Sequence, residues 1–166
     1  MTTIRSGRLD LQVKGSRAQL TGRLDDSCQL GELAVHLPPG DVVIDTAGVT
    51  FVNSIGMREW GRFVRALRGR GTVTLEAVAD VLMAQMNLVS EFLGRVKITS
   101  FHASYACPAC GYEASLLIDA IAHAEALRRL EAPRLPCPEC GAAMELADFP
   151  ERYLSLFRVR GEPEAS

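Results

Sequence analysis

Polar and apolar residues alternate along Leu9–Gly15 and again along Arg17–Leu24, with Gly15-Ser16 between the two stretches. A period of two on both sides of a turn predicts an antiparallel β-hairpin. Asp25-Asp26-Ser27 can cap a helix, and a short helical candidate follows to about Leu37, ended by Pro38-Pro39-Gly40. The β-branched run in Val42-Val-Ile-Asp-Thr-Ala-Gly48 then predicts a buried strand. Helical periodicity is strongest between Ser54 and about Arg68, where Met57, Trp60, Val64 and Leu67 form one apolar stripe and Arg58, Arg62 and Arg65 occupy another face. Gly69-Arg-Gly71 stops that helix. Thr72–Val78 reads as a strand, Asp80 opens a third helix to about Leu93, and Arg95–Phe101 supplies one more strand.

The resulting order, β-β-α-β-α-β-α-β over residues 9–101, predicts an α/β fold with a mixed β-sheet and helices. It assigns residues 1–100 to one unit and leaves residues 101–166, which hold four of the five cysteines, for a second and smaller one. In that second unit Leu116, Leu117, Ile121, Ala124, Leu127 and Leu130 recur in a helix-like pattern. The third helix is apolar over much of its circumference, through Val81, Leu82, Met83, Met86, Leu88, Val89, Phe92 and Leu93. A helix with one face in water needs fewer such residues, so either the second unit covers it or it is a homodimer or partner surface. Cover by the second unit requires fewer assumptions. The terminal Gly161-Glu-Pro-Glu-Ala-Ser166 has little to bury and is expected to fray.

Composition excludes some classes of function. With 48% hydrophobic and 23% charged residues the chain has the balance of a globular protein, not of a disordered, collagen-like or rod-like one. Lys and Arg number 18 against 20 Asp and Glu, so a net charge of -2 gives no global attraction to nucleic acid or acidic lipid. Residues 1–100 carry 12 basic and 10 acidic side chains, whereas residues 101–166 carry 6 and 10. Only Arg128, Arg129 and Arg134 cluster near the second cysteine pair, which disfavours a nucleic-acid-binding role. No apolar segment follows the charged N-terminus, and no uncharged run approaches the roughly 20 residues of a bilayer span. A cytoplasmic protein without membrane contact is therefore expected.

In a reducing compartment paired cysteines point to metal or redox chemistry before disulfides. Cys107-Pro-Ala-Cys110-Gly and Cys137-Pro-Glu-Cys140-Gly are two copies of one knuckle. Thiolates two residues apart in such a pair converge on one ion only where the chain turns tightly, and the glycine after the second cysteine allows positive φ there. Backbone N–H groups of such a turn can also steady the thiolates. Four thiolates make a closed tetrahedral cage of the kind that suits structural zinc, with Cys107, Cys110, Cys137 and Cys140 as its ligands. The knuckles resemble those of zinc ribbons and also the iron-binding knuckles of rubredoxins. Rubredoxins carry an aromatic core between the knuckles, however, and here residues 111–136 offer mainly aliphatic ones, so zinc is preferred to iron. His36, His102 and His123 lie outside the knuckles and are read as surface or boundary residues. Cys28 reads as a small buried residue, with a reactive thiol as the alternative.

In the first unit, Val42-Val-Ile-Asp45 followed by Gly48-Val-Thr-Phe-Val-Asn-Ser54-Ile-Gly56-Met is similar to the core signature of STAS domains, the family of sulfate-transporter cytoplasmic domains and anti-sigma factor antagonists. Ser54 and Gly56 stand where that family has its serine and glycine, while Asn53 replaces its usual Asp and Ile55 its second serine. The resemblance implies a non-enzymatic regulatory module that binds a protein partner, an anti-sigma-like factor or regulatory kinase that phosphorylates the serine matching Ser54. A hydroxyl at a strand-to-helix turn sits beside unpaired N–H groups at the positive end of the helix dipole, which tolerates a phosphate there. Ser54 has a second reading as a plain helix N-cap. Asn53, Gly56, Arg58 and Arg62 complete the candidate partner-binding site. The rival readings are a rubredoxin-like electron-transfer protein and a nucleic-acid-binding ribbon.

Overall fold

The computed structural model describes residues 1–88 and 96–161. Expectations for Val89, Phe92, Leu93 and Arg95, and for the tail past Gly161, lie outside those residues. The hairpin is present as β2 (Leu9–Lys14) and β3 (Arg17–Leu24), and a further strand, β1 (Thr2–Ser6), precedes it and pairs antiparallel with β2. The helix expected before Leu37 is a 3₁₀ helix, Leu30–His36. After it come β4 (Val42–Val52), α1 (Ser54–Arg68), β5 (Val73–Glu76), α2 (Asp80–Leu88) and β6 (Lys97–Ile98). The strands form one sheet in the order β1-β2-β3-β4-β5-β6, mixed as expected, with β3 to β6 mutually parallel.

Alternation decides which side of this sheet meets the core. Leu9, Leu11, Val13, Leu20, Ile44 and Leu75 point inward and are buried, and the polar residues between them face outward. The expected stripe of α1 packs on the inward side, with Met57, Trp60, Val64 and Leu67 buried together with Phe63. At 0% exposure Trp60 and Phe63 are the centre of that contact, their ring centroids 6.1 Å apart.

The strand expected over Arg95–Phe101 is broken at Thr99, and its second half opens another sheet. There β7 (Ser100–Ala106), β8 (Glu113–Asp119), β9 (Leu135–Pro136) and β10 (Ala143–Leu146) pair antiparallel in the order β8-β7-β10-β9. The helical pattern anticipated from Leu116 to Leu130 is mostly absent. Leu116 and Leu117 lie on β8, whose seven residues alternate against β7, and only Ala124–Arg128 is helical, as α3. Pairing with β7 outweighs the helical spacing that Leu116 and Leu117 share with the apolar residues after them.

The two sheets share one core. Val78 bridges β7 on the edge opposite β8, donating its N–H to the Ser100 carbonyl at 3.1 Å and accepting from the His102 N–H at 2.7 Å. The C-terminal helices α4 (Pro150–Tyr153) and α5 (Ser155–Gly161) pack on α2, so its buried Leu82, Met83 and Met86 are covered by the second half of the chain. Asn87 joins the pieces. Its Oδ1 accepts from the Leu156 N–H at 2.8 Å and the Ser155 hydroxyl at 3.2 Å, while its amide donates to the carbonyls of Met83 and Tyr153. No helix among the described residues is long and apolar enough to cross a membrane.

Candidate functional site

Each knuckle is a turn at the end of a strand, and the two are built alike. Cys107 follows β7, and its N–H donates to the Tyr112 carbonyl at 2.8 Å; Cys137 follows β9, and its N–H donates to the Ala142 carbonyl at 2.8 Å. Gly111 and Gly141 then return their N–H groups to the carbonyls of Cys107 and Cys137, at 2.9 and 2.8 Å. That return needs φ values of 80° and 79°, which glycine reaches without strain. Pairing of β10 with both β7 and β9 brings the turns face to face.

The result gathers all four cysteine sulfurs within 4.8 Å of one another. Across the gap Cys107 Sγ lies 3.5 Å from Cys140 Sγ, and Cys110 Sγ 3.7 Å from Cys137 Sγ. A tetrahedral ion with metal–sulfur bonds of about 2.3 Å requires sulfur–sulfur edges of about 3.8 Å, so the cluster is positioned to bind a metal ion. Cys107 and Cys137 are buried, and Cys110 and Cys140 face solvent.

The electrostatics of the thiols support the same reading. The Cys107 thiol is lowered to about 7, first by the backbone N–H of Cys110 and, with it, by that of Ala109. At Cys110 the Tyr112 N–H favours the thiolate, but loss of hydration and the three neighbouring thiols outweigh it and raise the group to about 12. Cys140 is raised too, the Ala142 N–H being opposed chiefly by Cys107. The Cys107 thiolate thus forms readily while Cys110 and Cys140 resist ionising beside it, a conflict that a cation at the centre removes. The Glu139 N–H points at Cys137 Sγ, 3.4 Å away, and steadies a fourth sulfur. Such a donor set accepts zinc and iron alike.

The second candidate region lies at the amino end of α1. Asn53, not Ser54, caps this helix: its Oδ1 accepts from the Gly56 N–H at 2.8 Å, and its carbonyl accepts from the Met57 N–H at 2.8 Å. Extended φ and ψ at Asn53 put its side chain back over the first turn, so the cap reading of Ser54 is corrected by one residue. Ser54 is the first helical residue and is exposed, as are Ile55 and Arg58. Gly56 is buried against β3, where a Cβ would overlap the Leu24 carbonyl oxygen, and the Asn53 N–H donates to that same carbonyl at 3.1 Å. The exposed turn thus stands on a tightly seated backbone.

Among the other anticipated residues, Arg62 is exposed and pairs with Glu59 at 3.0 Å, whose other oxygen accepts from the Gly31 N–H at 3.0 Å. Arg128 and Arg129 pair with Glu125, and Arg129 also with Glu131, so two of the three arginines near the second knuckle are neutralised locally. Cys28 is buried, donates to the Asp25 carbonyl, and burial raises its thiol, which fits the structural reading. His102 contributes its carbonyl to the Tyr153 hydroxyl at 2.8 Å and stands apart from the sulfur cluster.

Sequence reasoning misses one polar cluster beside α1. Buried Asp25 accepts from the hydroxyl and N–H of Ser27 and pairs with Arg23 at 3.2 Å, and these bonds, led by the Ser27 hydroxyl, hold its carboxyl below the usual range. Arg23 in turn lies over the Phe51 ring, 4.0 Å from its centroid. The signal in the sequence is Asp25-Asp26-Ser27, where an aspartate can bond the backbone two residues on and close a turn instead of capping a helix. No protein-family model matches the sequence, and no curated protein matches it.

Proposed function

We propose that the chain is a non-enzymatic regulatory module that binds a protein partner through the amino end of α1, in the manner of the STAS domains its signature resembles, with the four cysteines holding a structural zinc ion. The observation that carries this reading is the division of tasks between Asn53 and Ser54. Asn53 takes the cap, which leaves the Ser54 hydroxyl exposed beside Ile55, itself 45% exposed, and Arg58 one turn further on. A hydroxyl spent on capping would be a poor site for modification. A free one over the positive end of a helix accepts a phosphate with the dipole in its favour and Arg58 at the i+4 position to pair with it. The added charge of roughly -1.5 to -2 would fall on the surface a partner has to cover, so phosphorylation releases the partner without unfolding the domain.

Asn53 in place of the family's Asp keeps the cap while dropping a negative charge, which makes the turn less acidic before modification. Zinc is preferred to iron because the insert between the knuckles, residues 111–136, is mainly aliphatic where the rubredoxins they resemble carry an aromatic core. The test is affinity capture from the native cell with wild type, Ser54→Ala and Ser54→Asp. One shared partner is expected for the first two, lost with the third, together with phosphate on Ser54 in a fraction of the chains. Equal capture by all three, with Ser54 unmodified, would remove the switch. Red protein with a thiolate-to-iron absorption band would move the metal, and with it the function, to electron transfer.

A further inference from the structure

The four-stranded sheet ends in a free edge. Among the described residues β8 pairs with β7 alone, over seven consecutive residues and without a bulge. Two bonds bracket that ladder: the Ala120 N–H to the Thr99 carbonyl at 2.9 Å, and the Cys107 N–H to the Tyr112 carbonyl at 2.8 Å. Antiparallel pairing alternates between bonded and unbonded positions, so the backbone groups of Ala114, Leu116 and Ile118 turn toward β7, and those of Glu113, Ser115, Leu117 and Asp119 turn away from it. The side chains of these last four residues are exposed. An open edge is ordinarily blocked by charged side chains, above all lysine, by proline or by a bulge. β8 has no lysine, proline or bulge; its two carboxylates, Glu113 and Asp119, stand at its ends, and its middle presents Leu117, 54% exposed, with Ile121, 59% exposed, just beyond its end.

We propose that two copies of this chain associate by antiparallel pairing of β8 with β8 about a two-fold axis at Leu117. The sequence of the edge selects both the partner and the register. With the axis at Leu117, the outward backbone groups of Leu117 meet those of the other Leu117, and Ser115 meets Asp119 on either side. A hydroxyl donor then faces a carboxylate acceptor twice by symmetry, around a central leucine pair. Asp119 Oδ1 already accepts from the N–H groups of Ile121 and Ala122, at 2.9 and 3.0 Å, which holds the carboxylate in place for the hydroxyl across the axis. Moving the axis to Leu116 keeps the backbone bonds but sets Glu113 against Asp119 twice, like charges in direct opposition. Moving it to Ile118 keeps them too, but it parts the two leucines and sets each Leu117 against an Asp119 carboxylate, which then has no donor opposite. The β1 edge of the larger sheet fits self-pairing less well: it carries Arg5, tied to Asp10 at 2.7 Å, and its Ile4 packs inward.

An interface of one short strand pair is at the small end of the range, and a dissociation constant on the order of 100 µM is expected. Sedimentation equilibrium of the full metal-loaded chain up to about 1 mM measures it. Ser115→Asp places a second carboxylate opposite Asp119 in each half and weakens the dimer about tenfold or more, whereas Ser115→Lys creates two ion pairs and tightens it. Leu117→Lys, which opposes two ammonium groups on the axis, abolishes it. Ser115 and Leu117 are exposed, so metal content and circular dichroism report an unchanged fold in all three. A monomer across the whole concentration range, a dimer indifferent to both changes at Ser115, or occupation of β8 by an extended peptide of another protein would overturn the proposal.

Discussion

Around the knuckles the polar groups converge: four sulfurs lie within 4.8 Å, two of them buried, and the amides of both turns are tied to carbonyls of the same turns. At the amino end of α1 they diverge, with Ser54 and Arg58 exposed on a backbone pinned at Asn53 and Gly56. Both regions depend on a glycine that no other residue replaces well. They differ in where the unsatisfied chemistry points. Convergent groups call for an ion and give stability, and divergent groups on a fixed base call for another surface. By that contrast the stronger chemical signal fits a structural metal site, and the weaker one is the surface proposed for recognition.

Breaking a buried ligand tests the first half of the contrast and should have the largest effect. Cys107→Ser leaves three sulfurs, abolishes stoichiometric metal in elemental analysis, and lowers stability by about 5 kcal/mol or more in denaturant titration. The second half is tested at Gly56, where a methyl group must displace the Leu24 carbonyl. Gly56→Ala should cost about 3 kcal/mol by thermal unfolding while metal content is unchanged from wild type. Asn53→Ala sharpens the distinction between cap and hydroxyl. It removes the side-chain cap at a cost of about 1 kcal/mol, and it leaves Ser54 exposed, so partner capture should weaken far less than with Ser54→Asp.

Much of the α/β half is legible because its periods are unambiguous. The α1 stripe and the β2–β3 hairpin each follow from a single apolar repeat, and the β-branched run Val42–Gly48 marks the first seven residues of β4, which continues to Val52. β1 is not, because Thr2–Ser6 has one apolar residue and is held by pairing with β2, which the local sequence does not encode. β8 is ambiguous because Leu116 and Leu117 also fit a helical spacing, and only the partner strand decides between the two. The four cysteines are legible in full, since two matched spacings specify both the turns and their convergence. The cap falls at Asn53 where the sequence also allows Ser54, because Asn and Ser are nearly equal in capping preference and backbone angles alone choose between them.

Hydrogen exchange before and after chelation tests most directly the claim that the metal site and the surface proposed for recognition are separate. Removing the metal should strip protection from the knuckle turns and from β9 and β10, while the amides of α1 and of β2 to β4 keep theirs. Loss of protection along α1 at the same chelator concentration would contradict that separation, because the ion would then be holding the very surface taken to be independent of it.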